Sequence, residues 1–157
     1  MRYYIAYGSN LNVEQMKFRC PDARIAGVSL IKDYRLMYKG SFSGAYLTIE
    51  KNKGSKVPVG IWAVSDSDEL ALDRYEGYPS FYYKAYVSLP VAGLDMKVRT
   101  LKAFVYIMHE CREIQIPSQR YIDVCSRGYR DFGFDEKYLR DALTYSRANA
   151  GGRHENY

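Results

Sequence analysis

Residues 2–11 read RYYIAYGSNL, and the reading of this stretch decides the fold. RYYIAY (2–7) is aromatic and β-branched, the composition of a strand. Gly8, Ser9 and Asn10 then break the apolar run abruptly. Glycine after a strand lets the backbone turn tightly and approach a ligand. The main-chain N–H groups of Gly8, Ser9, Asn10 and Leu11 would then lie between a strand end and a helix start, a place that suits an anion or a developing oxyanion. An ordinary strand–helix turn capped by asparagine explains the same residues, and the motif alone leaves both readings open.

Working outward, Asn12 and Gln15 form a capping pair for a short helix, NVEQMKFR, which Pro21 ends. ARIAGVSLI (23–31), DYRLMYK (33–39) and AYLTIE (45–50) read as successive strands, separated by Lys32-Asp33 and by GSFSG (40–44). KNKGSK (51–56) reads as a surface turn, and VPVGIWAV (57–64) as a strand buried on both faces. Ser65, Asp66 and Ser67 are N-cap residues, with Asp66 and Glu69 as a capping box and Gly77 as the C′ terminator before Pro79. FYYKAYVSL (81–89) and KVRTLKAFVYIM (97–108) are strands of one hairpin joined through VAGLDM. Pro117 and Ser118 open a helix that RGYRDFGF (127–134) breaks, and Asp135 caps a last helix with Tyr138, Leu139, Ala142 and Leu143 on one face. There is no internal repeat and no interdomain linker. About seven strands in meander order with a few helices predict an α+β domain, with strands enough to curl into a small mixed barrel. One domain is expected over residues 1–148, with 149–157 a flexible tail.

The chain has 157 residues, enough for one domain with a sizeable core. No stretch approaches a membrane span in length, and no basic segment precedes an apolar run with a cleavage site. The cysteines, Cys20, Cys111 and Cys125, are odd in number and lack CxxC spacing, which predicts reduced thiols and a cytoplasmic protein. The net charge is +5, but the basic residues are scattered and the densest group (Lys51, Lys53, Lys56) lies in a glycine-containing loop. That pattern reads as a solvated face and points away from nucleic acid, while a positive field would suit an anionic small substrate. Tyrosine is the outlier, 17 residues against 6 phenylalanines, and supplies apolar area with one hydroxyl apiece.

Glu76 is the second residue of interest. It falls in the last turn of the expected helix 66–76, where the macrodipole disfavours negative charge. Tyr75, Tyr78, Phe81 and Tyr82 surround it in sequence and would desolvate it, and both effects raise a carboxyl pKa. The plainer reading is a surface glutamate paired with Arg74 or Lys84. Other constellations are weaker. Ser9 has no GxSxG elbow and no triad histidine. His109 and Cys111 share one strand face without other support for a dyad. Asp66, Asp68, Glu69 and Asp73 read as the acidic front of a helix, and no Walker loop, dinucleotide fingerprint or zinc pattern occurs.

Taken together, YxAYGSNL, VPVGIW, LALDRYEG and the aromatic strand that follows resemble the γ-glutamylcyclotransferase family, which includes the AIG2-like proteins. The resemblance runs through most of residues 2–145. It implies a small mixed β-barrel with surrounding helices. It implies a loop that holds a γ-glutamyl group, matched here by Tyr4, Ile5, Ala6, Tyr7, Gly8, Ser9, Asn10 and Leu11, with Tyr82 and Tyr121 as further pocket residues. It implies Glu76 as general acid/base. The expected reaction is attack of the substrate's α-amine on its own γ-carbonyl, which releases 5-oxoproline and a free amine or amino acid. No cofactor and no metal are implied, the partner is a small γ-glutamyl substrate, and the chain could be a monomer or a dimer. The alternative is a non-catalytic domain that retains the pocket and binds a small molecule or nucleic acid.

Overall fold

The computed structural model describes residues 1–41 and 44–150. Strand β1 (Arg2–Ala6) stands at the centre of the sheet, antiparallel to the end of β3 (Gly44–Val64) and parallel to β5 (Val98–Met108) through Tyr4 opposite Phe104. Its neighbours on both sides explain its burial from Tyr4 onward. Strands β4 (Tyr82–Gly93) and β5 form the expected hairpin, in register from Tyr82 opposite Met108 to Ala92 opposite Val98. Strand β2 (Arg24–Ser41) pairs with β3 along its length and with β4 at Gly27 and Val28. These pairings run β3-β1-β5-β4-β2 and return to β3, so five strands close a mixed barrel. A short β6 (Glu113–Ile114) adds to β2 outside the ring. The α+β barrel expected from the sequence is therefore the fold observed.

Closure requires β2 to approach β4 very tightly. A Cβ on Gly27 would stand 2.2 Å from the carbonyl oxygen of Ala92, so only glycine permits this contact. Ile5, Leu47, Ile49, Val59, Ile61, Phe104 and Met108 fill the core.

The long strands correct the sequence reading. The expected break at Lys32-Asp33 is a bulge within continuous β2, where Asp33 takes a φ of 63°. Aspartate tolerates that region because its short side chain bonds locally, and here its Oδ1 accepts the Gly54 N–H at 2.9 Å. The KNKGSK turn is an excursion within β3. Register passes from Lys51 opposite Tyr34 to Lys56 opposite Lys32, so the intervening residues loop out against Asp33. Turn chemistry was present, but pairing on both sides kept each strand whole. Part of the GSFSG stretch, residues 42 and 43, lies outside the described residues, as do tail residues 151–157.

Four helices surround the barrel: α1 (Val13–Arg19), α2 (Asp66–Glu76), α3 (Gln119–Phe132) and α4 (Lys137–Asn149). Asn12 caps α1 by accepting the Gln15 N–H, as its spacing predicts. The capping box of α2 is formed by Ser65 and Asp68, one position before the expected Asp66–Glu69 pair, because Ser65 is the extended residue that can take the cap geometry. Gly77 ends α2 in the left-handed region, at φ 63°. Helix α3 passes through Gly128 and stops only at Gly133, φ 71°, so RGYRDFGF breaks it later than expected. Gly128 is a packing residue: a Cβ there would lie 2.6 Å from the Asn12 nitrogen. Glu136 occupies the N-cap position of α4, while Asp135 accepts the Lys137 N–H from one residue further out. Helix α4 extends to Asn149, one residue into the expected tail.

Candidate active site

The loop after β1 folds as a single 3-10 turn over Ser9–Leu11. Leu11 N–H closes it onto the Gly8 carbonyl at 3.0 Å, and Asn12 N–H onto the Ser9 carbonyl at 3.0 Å. Helix α3 clamps the turn from outside through Gly128, through Asn12 Nδ2 donating to the Val124 carbonyl (3.2 Å), and through Asp131 accepting the Val13 N–H (3.0 Å). From β3, Trp62, whose ring packs against Phe132 of α3, donates its Nε1–H to the Asn10 carbonyl at 3.0 Å. The loop is thus fixed by the core on one side and by a helix on the other.

Beside this loop opens a cavity of about 310 Å³. Tyr4, Tyr7, Gly8, Ser9 and Asn10 line it from β1 and the turn, Tyr46 and Leu47 from β3, and Arg74, Tyr75, Glu76 and Gly77 from the end of α2. Phe81, Tyr82, Tyr106 and Tyr121 complete it from the segment leading into β4, from β4 itself, from β5 and from α3. The tyrosine hydroxyls are largely spoken for. Tyr7 donates to the Tyr106 carbonyl (2.7 Å), Tyr82 to the Leu47 carbonyl (2.8 Å) and Tyr106 to Asp73 (2.6 Å). Tyr121 accepts the Leu47 N–H (3.0 Å), and Tyr75 shares a hydrogen bond with Ser9 Oγ (2.9 Å). Burial pushes the phenols of Tyr4, Tyr7, Tyr82 and Tyr121 well above their ordinary range, so these four rings are neutral at physiological pH.

Among the described residues, Glu76 brings the only carboxyl to this lining. Burial of its carboxyl raises the pKa from 4.5 to about 8, with the Arg19 charge opposing that rise. Among the described residues it enters no ion pair. Arg74 does not pair with it, and Lys84 is held by Glu69 (2.7 Å) and Asp73 (2.9 Å), so the surface-pair reading of Glu76 is replaced. Asn10 Nδ2 stands 3.5 Å from Glu76 Oε1 and 2.9 Å from the Tyr4 hydroxyl. Among the described residues, no backbone acceptor takes the N–H groups of Gly8, Ser9 or Asn10. The arrangement brings a loop with three N–H groups lacking a backbone acceptor among the described residues, and one desolvated carboxyl, to a space the size of a small metabolite.

Of the sequence-predicted site residues, Glu76, Tyr4, Tyr7, Gly8, Ser9, Asn10, Tyr82 and Tyr121 meet at this cavity. Ile5, Ala6 and Leu11 do not. They are 0%, 1% and 0% exposed and belong to the core. Strand alternation turns Ile5 away from Tyr4, Leu11 packs under Gly128 of α3, and the Leu11 N–H is consumed inside the turn. Arg19, Tyr46 and Tyr106 escaped the sequence reading as site residues. Nothing local marks them, because each arrives from a different element. Among the described residues no three His, Cys, Asp or Glu side chains converge as a metal site.

The comparisons with known proteins agree with this fold. The closed mixed barrel with its surrounding helices is the fold of a solved structure described as a gamma-glutamyl cyclotransferase. That structure matches with a TM-score of 0.72 at 25% identity, over 99% of this chain and 90% of its own. The family described as gamma-glutamyl cyclotransferase, AIG2-like, matches residues 4–123. The gamma-glutamylcyclotransferases of Mus musculus and Homo sapiens are each 28% identical to it over 142 residues, covering 86% of this chain and 73% of theirs. The chain belongs to the γ-glutamyl cyclotransferase, AIG2-like family.

Proposed function

We propose that this chain cyclises γ-glutamyl amino acids or amines, with Glu76 as the general acid/base. The observation that carries the reading is the unpaired, desolvated Glu76 carboxyl facing the Gly8–Asn10 loop across one cavity. In the reaction the substrate's α-nitrogen bonds to the carbonyl carbon of its own γ-amide, and the bond from that carbonyl carbon to the leaving nitrogen breaks. The products are 5-oxoproline and that amine. Because the nucleophile is tethered, holding the folded conformer is worth several kcal/mol.

The proton balance suits this carboxyl. An α-amino group titrates near 8. A carboxyl at its ordinary 4.5 would take that proton at a large cost, and raising it to about 8 removes about 5 kcal/mol of the cost of complete transfer. Glu76 takes the ammonium proton as the amine attacks and returns it to the leaving nitrogen as the tetrahedral intermediate collapses. In this reading the N–H groups of Gly8, Ser9 and Asn10 receive the oxyanion or the α-carboxylate, and their lack of a backbone acceptor among the described residues supports it. Free thiols at Cys20, Cys111 and Cys125 support a reducing, cytoplasmic setting. Among the described residues no helix is long and apolar enough to cross a membrane.

The test is to incubate the protein with a panel of γ-glutamyl amino acids and amines and to assay 5-oxoproline, with Glu76→Gln alongside. Formation that falls by about 10²–10⁴ in the variant supports the reading. Glutamate in place of 5-oxoproline would assign attack to water, and no product from a folded protein would overturn catalysis at this cavity.

A further inference from the structure

Arg19, the last residue of α1, lies outside the cavity lining yet reaches the site through two contacts. Its guanidinium lies 3.4 Å from the centroid of the Tyr75 ring, the residue before Glu76. Its Nη1 donates to Asn10 Oδ1, and its Nη2 approaches Gln15 Oε1 at 3.4 Å. A guanidinium can only donate. The face of the Asn10 carboxamide toward Arg19 must therefore be the oxygen. The amino group is then turned the other way, toward the Tyr4 hydroxyl at 2.9 Å and Glu76 Oε1 at 3.5 Å.

We infer that Arg19 is a positioning residue which fixes the Asn10 carboxamide so that its amino group faces Glu76 as a donor. The inference rests on the role proposed for Glu76 above, and it adds how that carboxyl is kept usable. A buried carboxyl offered the oxygen of Asn10 would be held protonated, as the donor of an O–H···O bond. Offered the amino group, its ionised form is stabilised, and the Arg19 charge acts in the same direction. The Tyr75 ring keeps the guanidinium in place, and its hydroxyl bond to Ser9 ties the same ring to the loop. One cation thereby coordinates α1, the turn and the end of α2 without entering the cavity. Placing it outside leaves room for substrate and avoids an ion pair that would drop Glu76 back to an ordinary carboxylate.

The remaining polar and charged groups around Glu76 do not duplicate this role. Tyr4, Tyr7, Tyr82, Tyr106 and Tyr121 face the cavity as neutral phenols. Arg74 also lines the cavity, but it is exposed and bonded neither to Asn10 nor to Glu76 among the described residues.

The experiment compares wild type, Arg19→Met and Arg19→Lys by two measurements. The first is a carboxyl-carbon NMR titration of ¹³C-labelled glutamate without substrate, with Glu76→Gln used to assign the Glu76 signal. The second is the pH profile of 5-oxoproline formation. In Arg19→Met the Glu76 midpoint should move upward by about one pH unit, tenfold in proton affinity. The acidic limb of kcat/KM should move with it. Arg19→Lys keeps the charge but lacks the planar fork and stacking surface, so it should shift the midpoint in the same direction by less. Asn10→Ala should abolish most of the difference between Arg19→Met and wild type, because Arg19 acts through that amide. A structural role alone would lower thermal stability and leave both midpoints unmoved, and unmoved midpoints in either folded variant overturn the inference. The substrate-free titration judges Arg19 even if no γ-glutamyl compound is turned over, and that silence would count against the proposed reaction.

Discussion

The burial of Glu76 has a thermodynamic consequence that needs no substrate. Its carboxyl titrates at about 8 in the folded protein, against an ordinary value of 4.5. Between those values the native state holds a proton that the unfolded chain has released. Stability from this group is therefore fully present below pH 4.5 and is lost as pH rises through 8, at up to about 1.36 kcal/mol per pH unit. By pH 7 the accumulated loss reaches about 3 kcal/mol as a ceiling. Glu76 is only half-buried as a residue and its cavity opens to solvent. Screening there halves the expected effect to about 1.5 kcal/mol. Glu76→Gln is neutral at every pH and escapes the loss. In a domain of this size 1 kcal/mol moves Tm by about 2–4 °C. The variant should melt with wild type near pH 5 and about 3–6 °C above it at pH 7, with the gap widening to pH 8.5. Scanning calorimetry of both proteins across pH 5–8.5 measures this directly. A gap that stays constant with pH would refute the claim that the site desolvates this carboxyl, whatever the activity assay shows.

Further outcomes follow from the same geometry. On the proposed reaction, with Glu76 pushed up to about 8 and an α-amine near 8, the productive state would share one proton, and kcat/KM should rise from pH 6 to a maximum near pH 8 and then fall; a plateau from pH 6 would contradict it. Tyr121→Phe strips the Leu47 N–H of its acceptor and should destabilise the fold by about 1–3 kcal/mol in a urea titration, with KM raised. Gly128→Ala drives a Cβ to 2.6 Å from the Asn12 nitrogen, so α3 must withdraw from the turn, and a variant with unchanged Tm and turnover would refute that clamp. Lys84→Met leaves Glu69 and Asp73 facing each other without their shared cation, which should cost about 3–5 kcal/mol; a loss under about 1 kcal/mol would show that water replaces the lysine.

Much of the site was legible because its two main parts are local. A strand that stops at a Gly-Ser-Asn turn, and a glutamate at the C-terminal end of an acid-fronted helix closed by glycine, are patterns within about ten residues of chain. Their chemistry depends on backbone geometry and helix ends, which short sequences encode. Ile5, Ala6 and Leu11 were swept in with the loop because a motif names neighbours without saying which way they point. Strand alternation turns Ile5 away and α3 covers Leu11, while Ala6 shares the face of Tyr4 but is buried in the core.

The sequence by itself determined the places of the helices, the first strand and the β4–β5 hairpin, and it singled out Glu76 as an unusual helix-end carboxyl. It also carried the motifs of the family. Tertiary structure alone decided that the sheet closes through β2 and β3, that Asp33 and KNKGSK bend strands without ending them, and that Tyr46, Tyr106 and Arg19 join the site. The physical reason is range. Caps, turns and helix-end charges act between residues a few positions apart, whereas barrel closure and desolvation are contacts between elements far apart in the chain. Glu76 is an ordinary carboxyl in the sequence; only a wall of tyrosines drawn from separate strands and helices desolvates it and pushes its pKa up to about 8.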